Sequence, residues 1–139
     1  MSKMTTLYDR DIDFLEVMET GHRTIGENIS DTLTLFFTER THQLAGFALE
    51  AASDHLNELD VVPPSMRLAG IIKMVREQLH STQEEFAAKV DVGLRTLQRI
   101  ESGEGNLTFL NLCSLVEAAP EDVDISVVLK KTREAVAQS

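Results

Sequence analysis

The stretch of sequence that decides the fold is STQEEFAAKVDVGLRTLQRIESG, residues 81–103. Ser81 and Glu84 have the spacing of a capping box, which predicts that a short helix begins here. A tight connection ending at Gly93 follows, and apolar residues then recur again at helical spacing. Gly103 lies where a helix commonly ends in a left-handed residue. The stretch therefore predicts two short helices joined by a tight turn.

Further helices are predicted on both sides of this stretch. Apolar residues recur on one helical face between Leu68 and Leu79, and Ser65 can cap that helix at its start. Another helix is predicted near residues 109–116. Apolar alternation favours a short strand at 123–130, although the spacing within 125–136 also fits a helix.

The region before the two prolines is also predicted to be helical. Apolar residues in 1–62 recur mostly three or four apart, which favours about three helices. Thr24 and Glu27 have the spacing of a second capping box. Pro63 and Pro64 predict a short, stiff linker, because a proline pair is not accommodated inside a helix.

Composition and charge narrow the class of protein. Of 139 residues, 42% are apolar, which is enough for a folded core. A single cysteine, Cys113, excludes an internal disulfide and a multi-cysteine zinc site. No apolar run is long enough for a membrane span, and the first residues do not resemble a signal peptide, so we expect a cytoplasmic protein with no membrane partner. The net charge of −10 argues against loose electrostatic binding to nucleic acid or anionic lipid.

Residues 81–103 have the layout of a helix-turn-helix, and they closely resemble the lambda-repressor/Cro family of DNA-binding domains, also called the XRE family. The positions that match the family's pattern are Gln83, Phe86, Ala87, Val90, Thr96, Leu97, Ile100, Glu101 and Gly103. The resemblance extends over about residues 67–119. It implies a sequence-specific DNA-binding regulator whose second short helix enters the major groove.

The resemblance also implies which residues contact DNA. Base contacts are expected from Leu94, Arg95 and Arg99, since an arginine fork matches the two acceptors of guanine and a leucine can touch a thymine methyl group. Gln83 is expected to contact a phosphate at the positive end of the first short helix. Backbone or supporting contacts are expected from Gly93, Thr96, Gln98, Asn106, Arg67, Lys73 and Arg76. Glu101 points away from the recognition face in this layout, so we expect it to be structural.

These elements together predict an all-α fold with a lambda-repressor-like helix-turn-helix domain and a possible C-terminal strand. We expect four parts: an acidic helical segment at 1–62 for dimerisation, regulation or partner binding, a linker at 63–65, the helix-turn-helix domain at 66–119, and a C-terminal extension at 120–139 that is a candidate dimerisation element.

Charge within the chain bears on how DNA would be bound. Residues 1–65 contain four basic and twelve acidic residues, whereas 67–119 contain six basic and seven acidic ones. The loop after Gly103 reads Glu104-Gly105, where relatives often have a basic residue. A monomer should therefore bind DNA weakly, and we expect a twofold homodimer on half-sites about one helical turn apart.

Three functions remain open from the sequence. The leading hypothesis is a transcriptional regulator, most simply a repressor, that binds double-stranded DNA as a homodimer on a palindromic operator. The alternative is an antitoxin of a type II toxin–antitoxin pair, which neutralises a basic toxin through its acidic first segment and represses its own operon. The third is an interaction protein that keeps the fold without binding DNA. No nucleophile–base pair and no cofactor motif is predicted. No metal site is predicted either, because the i, i+3 spacing of Glu39 and His42, which is typical of di-iron bundles, has no second copy in the sequence.

Overall fold

The computed structural model describes residues 4–104 of the chain. Its first half is an antiparallel sheet of five strands in the order β1-β2-β5-β4-β3. The strands are β1 (Met4–Asp9), β2 (Phe14–Glu19), β3 (Thr24–Asn28), β4 (Leu33–Thr38) and β5 (Leu44–Leu49). Two short 3₁₀ segments, Ala52–Asp54 and Leu56–Val61, lead to the helices α1 (Pro64–Gln78), α2 (Gln83–Lys89) and α3 (Leu94–Glu101).

The all-α prediction is therefore wrong, and the described fold is mixed α/β. The error lies in the first segment, where the structure has strands in place of the predicted helices. Tyr8, Ile12 and Leu15 are spaced four and three apart, but Tyr8 and Leu15 pair across the β1–β2 hairpin and Ile12 lies in its turn. A hairpin with a short turn can thus imitate helical spacing.

The same reinterpretation applies to Thr24 and Glu27, which lie in β3 and form no capping box. Alternation with a period of two is visible in β2 and β4, where Leu15, Val17, Leu33 and Leu35 are buried and their neighbours are more exposed. This alternation puts one face of the sheet in the core.

Helix α1 covers that inner face at β1 and β2, and it comes unusually close at Gly70. A Cβ atom at Gly70 would lie 3.0 Å from Val17 Cγ2, 3.1 Å from Phe47 Cζ and 3.2 Å from Leu15 Cδ2. Because all three neighbours are fully buried, the glycine allows the helix to approach the sheet closely. The sheet and the three helices share one hydrophobic core, within the part of the chain that is described.

The proline pair lies at the start of α1. Pro63 is the N-cap residue and Pro64 the first helical residue, so Ser65 is not the cap that the sequence predicted. The guanidinium of Arg67 donates to the carbonyl oxygens of Leu59 (2.9 Å) and Val62 (2.6 Å). These bonds fix the 3₁₀ segment against α1, and burial lowers the pKa of Arg67 below its usual value.

A second polar link joins β1 to the rest of the fold. The hydroxyl of Tyr8 donates to the carboxylate of Asp13, which also accepts the backbone N–H of Ser53 at 3.1 Å and its hydroxyl at 2.5 Å. Gln78 Nε2, at the end of α1, donates to the Tyr8 hydroxyl at 3.2 Å. The network thus connects a hairpin turn, a 3₁₀ segment and a helix.

None of the helices within residues 4–104 is long and apolar enough to cross a bilayer. The predictions for Asn106, for a helix near 109–116 and for a strand at 123–130 lie outside the described residues.

Candidate nucleic-acid interface

Helix α2 begins one residue later than the sequence predicted. Thr82, and not Ser81, is the N-cap residue: its hydroxyl accepts the backbone N–H of Glu85 at 3.1 Å, and the Glu85 carboxylate accepts the backbone N–H of Thr82 at 3.1 Å. The box is therefore Thr82–Glu85 in place of the predicted Ser81–Glu84. A hydrogen bond from the backbone N–H of Thr82 lowers the pKa of the Glu85 carboxyl, and the hydrogen bond with the Thr82 side chain lowers it further.

The turn between α2 and α3 has the geometry that a helix-turn-helix needs. Asp91 is left-handed (φ 57°), and the backbone N–H of Val92 donates back to the carbonyl of Ala87 at 2.9 Å. Phe86 and Ala87 are buried where α2 meets its neighbours, so the small side chain of Ala87 leaves room for a close crossing. Gly93 is then the N-cap residue of α3.

Helix α3 separates a buried side from a polar, exposed side. Leu97, Ile100 and Glu101 are buried. The expected recognition residues lie on the exposed side: Leu94, Arg95, Thr96, Gln98 and Arg99. Leu94 exposes 36% of its surface. Gly103, with φ +82°, ends the helical region in the left-handed conformation that was predicted for it.

A buried ion pair holds α3 against α1 from behind. Arg76 Nε lies 2.9 Å from Glu101 Oε2 and Arg76 Nη2 lies 2.9 Å from Glu101 Oε1, with side-chain exposures of 8% and 6%. This bidentate geometry fixes both the distance and the crossing angle between α1 and α3. Glu101 is thus structural, as expected. Thr6 of β1 also donates to the carbonyl oxygen of Glu101 at 3.3 Å, so the sheet supports the same end of α3.

Gln83 lies in the first turn of α2, next to the start of α3. Gln98 Nε2 donates to Gln83 Oε1 at 3.4 Å. Both side chains, with Thr82, Glu84 and Leu94, line a surface pocket of about 320 Å³ at the meeting point of the two helices. The structure therefore brings Gln83 onto one surface with Leu94 and Gln98 of α3.

Three of the predicted supporting residues lie elsewhere. Arg67 and Arg76 are buried, and their guanidinium groups are engaged with carbonyl oxygens and with Glu101. The guanidinium of Arg76 also donates to the carbonyl oxygen of Ser81 at 3.1 Å. Lys73 pairs with Glu77 at 3.3 Å on α1. We therefore exclude Arg67 and Arg76 from the interface, because an arginine that is used inside the fold cannot reach a phosphate.

The structure also shows residues that sequence reasoning missed. Thr82 is the N-cap residue that positions the start of α2. The sequence does contain its capping-box spacing, Thr82 to Glu85, one residue after the predicted pair Ser81 and Glu84. Lys89 is an exposed cation in the last turn of α2. The support from Thr6 had no signal in the sequence, since it lies 95 residues away from Glu101.

Comparison with known proteins agrees with this geometry. A family model described as helix-turn-helix matches residues 72–124, which is less than half of the chain. The chain contains a helix-turn-helix domain. The resemblance to the lambda-repressor/Cro type is thereby confirmed for this segment, and the helix-turn-helix match supports a role as a DNA-binding regulator. No curated protein and no solved structure matches the chain.

Proposed function

We propose that this chain is a sequence-specific transcriptional regulator, a repressor that acts in the cytoplasm as a homodimer on a palindromic operator. The observation that supports the proposal most directly is the surface of α3. Arg95 and Arg99 are exposed one helical turn apart on a helix whose other side is anchored by buried Leu97 and Ile100. A rigid helix with exposed arginines suits the major groove, where guanine offers two acceptors.

Each residue has a distinct role in this proposal. Arg95 and Arg99 specify bases, Leu94 contacts a thymine methyl group, and Gln83 contacts a phosphate that sets the register. Gly93, Thr96, Gln98 and Asn106 support these contacts, and Lys73 is a weaker candidate because it pairs with Glu77. Bound at a promoter, the domain would repress by excluding other proteins from the same DNA.

The charge of the protein sets how it can bind. With a net charge of −10 and few cations near α3, the protein gains little from general attraction to phosphates. Specific base contacts and the use of two half-sites must therefore supply most of the affinity. This is the reason for proposing a dimer.

The test is a selection of genomic DNA fragments by the full chain at physiological salt, followed by affinity measurements on the selected site. The double variant Arg95→Ala/Arg99→Ala is compared with Arg40→Ala, which removes an exposed arginine in the β4–β5 turn. Each recognition arginine should be worth about 1–3 kcal/mol on the selected site. Enrichment of an inverted repeat that is lost only in the double variant supports the proposal. Equal selection by all three proteins, or no selection by any, contradicts it.

The antitoxin alternative has one supporting observation, the net charge of −8 over residues 1–65. A basic toxin could bind this acidic surface. Co-expression with a basic protein encoded beside this gene tests the alternative: a stable complex and relief of growth inhibition would support it, and the absence of both would reject it.

A further inference from the structure

Within residues 4–104, the edge of the sheet at β3 is exposed, and helices α1 to α3 do not cover it. The other edge of the described sheet, β1, packs against α1 and α3, whereas the principal contacts of β3 with described elements are those with β4. Ile25 and Ile29 are 50% and 51% exposed on the sheet face that bears the core residues Leu33 and Leu35. Exposed apolar residues beside an open strand edge are typical of a surface that pairs with another strand.

The hydrogen-bond alternation of the sheet defines which backbone groups are presented outward. Glu39 N donates to Arg23 O at 2.9 Å, and Ile29 N donates to Leu33 O at 2.9 Å. These bonds fix the phase of the β3–β4 ladder, in which alternate residues of β3 point their backbone groups toward β4. Thr24, Gly26 and Asn28 therefore direct their N–H and C=O groups away from the sheet. Neither proline nor lysine protects this strand.

We propose that β3 pairs with β3 of a second copy of this chain, antiparallel and in a register centred on Gly26. This inference deepens the proposed function, since it rests on the homodimer proposed there and gives that dimer an interface. The pairing joins two five-stranded sheets into one of ten strands. It uses the outward backbone groups of Thr24, Gly26 and Asn28 in both copies, and the absence of a side chain at Gly26 allows close approach at the axis.

The strand is complementary to itself in this register. In this register the numbers of two residues that lie opposite each other add up to 52. Thr24 therefore faces Asn28 of the second copy on one side of the sheet. On the other side, Arg23 is diagonal to Glu27 of the second copy, and symmetry repeats this pair of opposite charges. Glu27 Oε1 lies 3.7 Å from His42 Nε2 within its own chain, and both side chains are largely exposed, so Glu27 is available to a second partner.

The isoleucines add an apolar contact across the axis. Ile25 is diagonal to both Ile25 and Ile29 of the second copy, so four exposed side chains form one cluster. A twofold arrangement in which the same strand supplies opposite charges and matched apolar residues favours a second copy over an unrelated strand.

The test is sedimentation equilibrium of the full chain without DNA, with circular dichroism as a check of folding. Ile25→Glu puts a carboxylate directly opposite Glu27 of the second copy, twice per dimer, and its matched control is Ile12→Glu, at an isoleucine that is 67% exposed in the β1–β2 turn. We expect twice the chain mass of 15.5 kDa for the wild type and for Ile12→Glu. Ile25→Glu should raise the dimer dissociation constant at least about tenfold, because like charges directly opposite each other destabilise a strand pair.

A charge exchange provides an independent test of the register. Arg23→Glu should weaken the dimer about tenfold, and Arg23→Glu/Glu27→Arg should restore it, because the diagonal pairs are re-formed with their signs reversed. A wild-type protein that stays monomeric, or a dimer that is indifferent to Ile25→Glu and Arg23→Glu, overturns the β3 interface.

DNA binding is measured separately, so the two proposals can fail separately. A dimer that depends on β3 but selects no DNA would contradict the proposed function alone. Selection of DNA by a dimer that does not depend on β3 would contradict only the interface.

Discussion

At the scale of single residues, Tyr8 shows how three distant parts of the chain are joined by one hydroxyl. Its partners Asp13 and Gln78 lie five and 70 residues away, and Asp13 in turn holds Ser53. No local pattern in the sequence indicates these bonds, because they depend on the packing of β1 against α1. The residues of the helix-turn-helix differ in this respect, since their roles follow from spacing within one short segment.

The tyrosine also gives a direct prediction on pH. Burial, and then the hydrogen bond to Asp13, raise the pKa of Tyr8 well above its usual value. Between the usual pKa of about 10 and the raised one, the folded state keeps a proton that the unfolded state has lost. This contribution to stability is therefore complete below a pH of about 10 and is lost as the pH rises through the folded-state pKa.

The measurement is an absorbance titration, because the chain has one tyrosine and no tryptophan. Phenolate should be nearly absent in the folded protein at a pH of about 10 and should appear in urea. Asp13→Asn should lower the pKa only in part, since burial is the larger cause. Half-ionisation of the folded protein at the usual pKa would contradict the assignment.

At the scale of elements, the sequence predicted the helix-turn-helix well and the sheet not at all. The turn at Asp91 to Gly93, the helix that follows it and the left-handed Gly103 are local features, and the structure confirms them. The strands failed because short hairpins place apolar residues three or four apart in the sequence, as from Tyr8 to Leu15. Strand pairing is a non-local property, and the alternation within β2 and β4 extends over only six residues in each strand, so the helical spacing around it prevailed in the prediction.

The contact between α1 and α3 leads to the second prediction. Glu101→Gln should lower the free energy of unfolding by about 3–5 kcal/mol, because it leaves the buried guanidinium of Arg76 without its charge partner. The double variant Arg76→Met/Glu101→Leu should lower the free energy of unfolding by less than the sum of the losses in Arg76→Met and Glu101→Leu, since it leaves no buried charge.

Urea denaturation measures both effects, and Glu104→Gln is the matched control at an exposed glutamate three residues further on. The same Glu101→Gln variant should also weaken binding to the selected operator, because the pair sets the orientation of α3. A loss no larger than that of Glu104→Gln would mean that the pair does not hold the recognition helix.

At the scale of the whole molecule, the sheet and the recognition helix belong to one core, which changes the view that the sequence suggested. The proline pair predicted a linker between two separate units, whereas Arg67 and buried Val62 tie the junction into the interior. The surface of α3 was predictable from the resemblance, but its support from β1 was not. A dimer formed by the sheet must therefore position both recognition helices.

This connection predicts the spacing of the operator. When two of the described five-stranded sheets are joined at β3, the two β1 strands are the outermost of these ten, nine strand spacings of about 4.8 Å apart, or about 43 Å. Because α3 packs against β1 and α1, the two recognition helices lie at these outer ends. One turn of DNA, about 34–36 Å, is shorter than this span, so we expect half-sites more than one turn apart, in contrast to the one turn expected from the sequence.

A library of DNA duplexes with two half-sites at varied separation measures this spacing. Affinity should be highest at a separation of half-site centres longer than one turn, which is about 10–10.5 base pairs, and should fall when half a turn is added to that optimum, because the second half-site then faces away from the protein. The Ile25→Glu variant should bind all separations nearly equally, since its recognition helices are no longer joined. An optimum at one turn in the wild type would place the dimer interface closer to α3 than β3 is, and would contradict the joined sheet while leaving the role of Arg95 and Arg99 intact.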